Sequence, residues 1–257
     1  MLEENLRATL SVFSRAREGG EVCRQPGVVL VCSAVRFTTF NAALFTEPVE
    51  SVEEFERRVD LAGAYFRRRS LPWSVWLCED WLEKALRKRC RSLVEDAGMR
   101  LLVEMPGMAA ERLRPPARRL PALEFRRVED SRTRQAFEMI MTAAFEVPPA
   151  ISRQIYGAEQ TWEDGLTGWV GYLQGCAVVS AATRVAGGVI GLYAVGTVPA
   201  FRRQGCAEAA VRHAISQAQA STGIVRSVLQ STGAGLKLYE KLGYQPVAHY
   251  CVYASNW

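Results

Sequence analysis

The sequence predicts an α/β protein built from two halves of similar length, and three observations carry that reading. Apolar, β-branched runs of strand length alternate with amphipathic helical segments along the whole chain. Gly187-Gly188 divides the longest apolar tract, 177–198, into two strands, since paired glycines between β-branched runs suit a two-residue hairpin turn. Pro115, Pro116 and Pro121, set among arginines, remove backbone donors and cannot continue a helix, which predicts a linker over 113–122. The halves are then 1–120 and 121–257.

Composition bounds the function. With 49% hydrophobic and 23% charged residues in 257, the chain is globular rather than disordered or collagen-like. A net charge of +5 favours anionic ligands in general and is too small to signal nucleic acid. Seven cysteines, odd in number and without a C-x-x-C pair, argue against a disulfide framework or zinc ribbon and for reduced thiols in a cytoplasm. Glu3 and Glu4 stand where a signal peptide needs positive charge. Arg184 and the glycine pair interrupt the one tract long enough for a bilayer, so a soluble cytoplasmic protein without membrane partners is expected.

In the first half, 27–45 reads as paired strands. A helix opens at Ser51, where Ser51-x-x-Glu54 predicts reciprocal capping, and Val52, Phe55, Val59, Ala62 and Phe66 form its apolar face. Leu71-Pro72 stops it. A strand over 73–78, a helix near 81–97 closed by Gly98 and a short strand over 101–105 follow. The second half reads as a strand at 123–128, helices between 131 and 156 divided by Pro148-Pro149, and a strand near 169–173. After the glycine hairpin come a helix over 203–220, a strand over 224–230, a helix over 233–242 closed by Gly243, and a strand over 245–253.

The stretch that carries chemistry is 191–214. A β-branched strand feeds the turn Arg202-Arg203-Gln204-Gly205-Cys206-Ala207, which opens an alanine-faced helix. The first N–H groups of a helix lack internal partners and sit at the positive end of its dipole, so they can hold phosphate oxygens. Gly205 and Ala207 are small enough to let a diphosphate approach the backbone. Arg202 and Arg203 are unfavourable for the helix itself, and an external anion would offset them. A second stretch, 227–244, sets Tyr239 on a helix behind a polar, glycine-rich turn.

Pro199-x-Phe201-Arg202-x-x-Gly205-x-Ala207, behind Val195-Gly196-Thr197-Val198, resembles the cofactor motif of the GNAT superfamily of acyl-CoA-dependent N-acetyltransferases. Leu238-Tyr239-Glu240-Lys241-Leu242-Gly243-Tyr244 resembles the same superfamily's L-Y-x-K-x-G-[FY] helix, and the likeness spans about 123–257. It implies a mixed, mostly antiparallel central sheet flanked by helices. Acetyl-CoA is the implied cosubstrate, with no metal. Val195, Gly196 and Thr197 would offer backbone groups to the pantetheine arm, and Arg202, Arg203, Gln204, Gly205, Cys206 and Ala207 would cradle the diphosphate. Thr232 would stand near the cofactor, and Tyr239 would be the acid for the departing thiolate. Gln204 and Cys206 depart from the commoner loop residues, which binding through the backbone tolerates.

The reaction this implies is direct attack of a neutral amine on a thioester, the oxyanion being held by a strand N–H near Val195. A lysine-like amine is neutral about one part in a thousand at pH 7.4, a cost of about 4 kcal/mol, while an α-amine costs under about 1 kcal/mol. Glu146, Glu159, Glu163 and Asp164 are the carboxylates available as a base, each more simply a solvated loop charge. A water-relayed base or a weakly basic amine is therefore expected.

Aligning Pro48 with Pro199 sets Ser51, Glu54 and Glu56 opposite Arg202, Gly205 and Ala207, so the first half reads as a GNAT-like copy without a cofactor site, since acidic groups repel phosphate. The arginine-rich pieces at 67–69, 84–91 and 114–119 read as solvated faces rather than nucleic-acid contacts. His213 and His249 lie far apart in sequence with no evident metal partners and read as surface or satisfied histidines, and Cys206 reads as a small filler. The competing function is a non-catalytic acyl-CoA-binding or interaction module. Neither acceptor nor oligomeric state is written in these motifs.

Overall fold

Gly187 and Gly188 take φ of 60° and 73°, the left-handed pair a tight hairpin needs, and they fold the apolar tract back on itself as expected. In the computed structural model, which describes residues 1–255, the first half runs α1 (Leu2–Arg15), β1 (Glu21–Gln25), β2 (Val28–Cys32), β3 (Asn41–Phe45), α2 (Val52–Arg68), β4 (Ser74–Cys78), α3 (Lys84–Arg87), α4 (Cys90–Asp96) and β5 (Met99–Ala110). The second half runs β6 (Glu124–Arg127), α5 (Ser131–Phe145), α6 (Pro149–Tyr156), α7 (Gln160–Glu163), β7 (Leu166–Leu173), β8 (Cys176–Ala186), β9 (Val189–Thr197), α8 (Cys206–Thr222), β10 (Ser227–Gln230), α9 (Leu236–Leu242) and β11 (Gln245–Ser255).

Among the described residues the strands form one 11-stranded sheet in the order β1-β2-β3-β4-β11-β5-β10-β9-β8-β7-β6. Its pairings are antiparallel except β3 with β4 and β9 with β10. Each parallel pair is joined by a helix, α2 or α8, as a parallel connection requires. Each is continued by a strand of the other half: β11 lies beside β4, and β5 beside β10. β5 and β11 pair with each other at the centre of the sheet, from Gln245↔Ala109 to Ser255↔Met99. The last strand of each half is thus exchanged into the other.

One face carries α1, α5 and α6 over a shared core that includes Leu6, Phe13, Phe137, Ile140 and Ile155. The opposite face carries α2 and α4 over one core, with Phe55, Phe66 and Val94, and α8 and α9 over another, with Val211, Ile215 and Leu242. α1 also ties the halves together. The buried Asn5 amide donates to the carbonyls of Arg184, Ala186 and Val189, and the Tyr193 hydroxyl donates to Asn5 Oδ1 at 2.7 Å.

Four expectations are corrected. Ser51 Oγ accepts from the Glu54 N–H at 3.2 Å, but the Glu54 carboxylate turns to the buried Arg58 guanidinium instead of completing the capping box. The helix expected over 81–97 is broken: Glu83 caps a fresh start at Ala85 and Leu86, and Arg89 separates α3 from α4. The strand expected over 101–105 extends to twelve residues. Pro106 lies opposite His249 in the β5–β11 pairing, and its carbonyl accepts from the Ser231 N–H. The helix expected from 203 starts at Cys206.

Candidate active site

β9 and β10 pair only through Ile190↔Ser227 and Gly191↔Val228, although β9 continues to Thr197 and β10 to Gln230. Beyond that point the ladder opens at the carboxyl ends of the parallel strands, where open α/β sheets place their ligands. On its other side β9 carries a bulge. The register steps from Ser180↔Gly196 to Ala182↔Tyr193, so one residue of β8, Ala181, faces two of β9, Ala194 and Val195. Ala194 takes φ of 49°, and its carbonyl accepts from the buried Ser180 hydroxyl at 2.9 Å. The backbone of Val195 therefore lies outside both ladders, free to bind something other than strand.

Past Thr197 a 3-10 turn over Pro199–Phe201 leads into the loop 202–205 and α8. Arg203 takes φ of 62° and Gly205 φ of 90°, and Gly205 stands as N-cap of α8. The consecutive turn aims the first amides of α8 at the same end of the sheet as the opened ladder. A Cβ on Gly205 would meet Pro121 Cδ at 3.2 Å and Arg118 Nη2 at 3.5 Å, so the linker passes close over this turn. The Arg118 guanidinium reaches the Arg203 carbonyl at 3.5 Å. Arg202 needs no external anion, because its guanidinium donates to the carbonyls of Thr197 and Ala144. Gln204 donates to the Ala200 carbonyl and stiffens the turn. Cys206 is buried in the α8 core, and burial pushes its thiol up, as suits a filler rather than a nucleophile.

Thr232 is exposed just past β10, and its carbonyl accepts from the N–H groups of Gly235 and Leu236 to start α9. Tyr239 is 8% exposed and lies edge-on to Tyr244 with ring centroids 5.8 Å apart. It shares a core with Cys206 and Leu192, so α9 and α8 meet below the opened ladder. Burial raises the Tyr239 phenol well above its ordinary value.

Glu208, a turn into α8 and 3% exposed, accepts from Lys241 Nζ at 2.8 Å and Arg212 Nη2 at 2.8 Å. Burial alone would raise its carboxyl, but these two cations hold it below 4.5. A depressed carboxyl stabilises the fold fully above its unfolded value, near 4.5, and that stability is lost as pH falls through its lower folded value. Glu208→Gln is expected to lower stability by about 3 kcal/mol at pH 7 and to flatten the acid limb of a stability–pH profile below about pH 5, measured by urea unfolding. This residue carried no signal in sequence beyond being a lone acid on an alanine-rich face.

In the first half the corresponding region is closed. The opening between β3 and β4 leaves a cavity of about 10 Å³, lined among others by Phe45, Trp76, Trp81 and Tyr250. The turn before α2 is occupied by the Arg58 side chain, which donates to the carbonyls of Glu47 and Pro48. The histidines also differ. His213 stacks on Phe125 at 4.2 Å and meets Trp169 edge-on. His249 has partners the sequence did not suggest, since the fold brings Glu79 and Cys251 beside it.

Of the carboxylates considered as a base, Asp164 pairs with Arg15 at 3.2 Å and Arg184 at 4.0 Å. Arg184 stands four residues along β8 from Ser180, or about 13 Å from the bulge. Glu159 pairs with Arg134 at 3.5 Å. Glu146 ends α5 with φ of 57°, directly after Ala144 and Phe145, which line the space a Cβ on Gly196 would take at 3.0 and 3.2 Å. It is the member of the set beside the bulge.

This opened, bulged parallel pair ahead of a glycine turn defines an acyltransferase fold. Residues 153–246 match the family model for the acetyltransferase (GNAT) domain, and the fold around them is GNAT-like. Solved structures agree in fold. A GCN5-related N-acetyltransferase from Kribbella flavida aligns at a TM-score of 0.74 and 21% identity, covering 98% of this chain and 94% of that one. One from Sphaerobacter thermophilus aligns at 0.61 and 15%, covering 89% and 76%. A tandem GNAT protein from the clavulanic acid biosynthesis pathway aligns at 0.55 and 10%, covering 89% and 78%. The search of curated proteins finds no match. No helix among the described residues is long and apolar enough to cross a membrane.

Proposed function

We propose that residues 121–257 form an N-acetyltransferase domain that moves an acetyl group from acetyl-CoA to a primary amine, and that residues 1–120 are a second GNAT-like copy without a cofactor site. The observation that carries the first part is the backbone of Val195, released by the bulge next to a ladder that opens toward the amides of α8. Support for a diphosphate at the turn comes from the φ of 90° at Gly205 and from its missing Cβ, which keeps clear the narrow space beside Pro121 and Arg118 at the start of α8. The filled opening between β3 and β4, with Arg58 in the turn, supports the second part.

Coenzyme A, when bound, supplies an acyl group already activated as a thioester. In the mechanism that follows, the N–H groups of Cys206 and Ala207 hold the diphosphate, with Arg203, Gln204 and Gly205 shaping the turn and Arg202 bracing it from within. Gly196 and Thr197 extend the strand edge beside the pantetheine arm, and Thr232 stands across the opening on the β10 side. The Val195 N–H faces the developing oxyanion. Tyr239 holds the proton that the departing thiolate takes. The proton of the attacking amine leaves through water, with Glu146 the nearest carboxylate.

The test is calorimetric titration of coenzyme A into the full chain, followed by thiol release from acetyl-CoA against amino acids, polyamines, aminoglycosides and peptide N-termini. Heat on titration and thiol release with one amine class is the expected result. Binding without release toward any amine would instead identify a non-catalytic acyl-CoA-binding module. Single changes to Gln at Glu146, Glu159 and Glu163, and to Asn at Asp164, are expected to leave measurable turnover. The Glu146 variant should lose most at low pH, by about tenfold. Abolition at every pH by any one of them would show that a fixed base, and not relayed water, takes the proton.

A further inference from the structure

We infer that the chain holds one thiophilic divalent cation of the zinc class between its two halves, on Glu79, Cys90, His249 and Cys251. His249 and Cys251 are two apart on β11 and so point from the same face of the sheet. The β4–β11 register, with Tyr250 opposite Cys78, sets Glu79 at the position facing His249. One donor atom from each of Glu79, His249 and Cys251 lies within 4.8 Å of the others. Cys90, the first residue of α4, brings a fourth: its sulfur is 3.8 Å from the Glu79 oxygen that the Cys251 sulfur approaches at 3.3 Å.

The donor set selects the metal. Two sulfurs, one imidazole and one carboxylate are the ligands of tetrahedral zinc, and too few oxygens are present for calcium or magnesium. Metal–donor bonds of about 2.0–2.3 Å place tetrahedral neighbours roughly 3.3–3.8 Å apart, so the Glu79, His249 and Cys251 donors, now within 4.8 Å of one another, close inward on binding and Cys90 swings in from beside Glu79 as the fourth. The outer groups are also in place. Asp80 accepts from the His249 backbone N–H at 2.7 Å, and Arg87 pairs with both Asp80 and Glu79, offsetting the negative charge that two thiolates and a carboxylate leave around a dication. Both cysteines are 2% exposed, while the His249 side chain is 40% exposed and marks the side from which an ion enters. On binding, the two thiol protons pass to solvent, and no redox step occurs. The ion clips α4 and the end of β4 to the exchanged strand β11.

The experiment is titration of the reduced, chelator-treated full chain with Co²⁺, followed by Zn²⁺. The expected result is one equivalent of Co²⁺ bound, with sulfur-to-cobalt charge-transfer absorption and the visible bands of a tetrahedral site, all bleached by Zn²⁺. Cys90→Ser, Cys251→Ser and His249→Gln should each weaken Co²⁺ binding at least about 100-fold, while Cys176→Ser, at the exposed start of β8, leaves it unchanged. His249→Gln changes a half-exposed side chain and keeps the fold intact for comparison. No bound Co²⁺ in the wild-type chain, or binding that these three variants do not alter, would overturn the site and show that Glu79 merely accepts hydrogen bonds from the thiols. Neither readout depends on acetyl transfer.

Discussion

Gly205→Val is expected to weaken coenzyme A binding by at least about 100-fold and to cost about 2 kcal/mol of stability. A β-branched residue is strongly disfavoured at φ of 90°, and its Cβ would press on Pro121 Cδ at 3.2 Å with Arg118 and Leu120 just behind. The turn relieves this only by rotating to negative φ, which swings the amides of Cys206 and Ala207 off their common focus. Gly205→Ala keeps the backbone strain with less crowding and should fall between wild type and valine. Calorimetry with coenzyme A, alongside near-UV circular dichroism to check packing, measures both effects. Unchanged affinity in the valine variant would remove the α8 amides from the binding site.

Tyr239→Phe is expected to reduce kcat by about 100-fold with KM little changed. The substitution removes one oxygen from a ring otherwise held by Tyr244 and the α8–α9 core, so folding should be nearly unaffected. Burial raises the phenol, which makes Tyr239 a reluctant acid. In the proposed mechanism it holds a proton in a dry site next to a leaving thiolate, where a hydrogen bond to developing charge gains strength from the low dielectric. Single-turnover and steady-state rates separate this step from product release. An unaltered rate would assign Tyr239 to packing alone.

Much of the second half was legible because its signals are local. Gly187-Gly188, Pro148-Pro149, Pro199 and Gly243 each act on the backbone within a residue or two, and the elements they bound appear where expected. The turn at 202–207 was legible for the same reason. What escaped depends on distant partners. The bulge at Ala194 is fixed by Ser180, which reads in sequence only as a polar residue in an apolar strand. α1 was assigned no element from the sequence, although Leu2, Leu6, Leu10 and Phe13 recur at helical spacing, and what the sequence could not show is that Asn5 anchors it to β8 and β9 across nearly 190 residues. Arg202 looked like a phosphate ligand because the carbonyls that satisfy it belong to a different helix and strand. The breaks in 81–97 carry no glycine or proline, so helical periodicity ran straight through them.

β11 follows every other strand in the chain but fills the slot between β4 and β5, near the middle of the sheet. Synthesis proceeds from the amino terminus, so the keystone arrives after the arch. Until it does, β4 and β5 display unsatisfied edges that invite wrong partners, and the nascent first half has no route to completion on its own. Evolution cannot trim either half without opening the other.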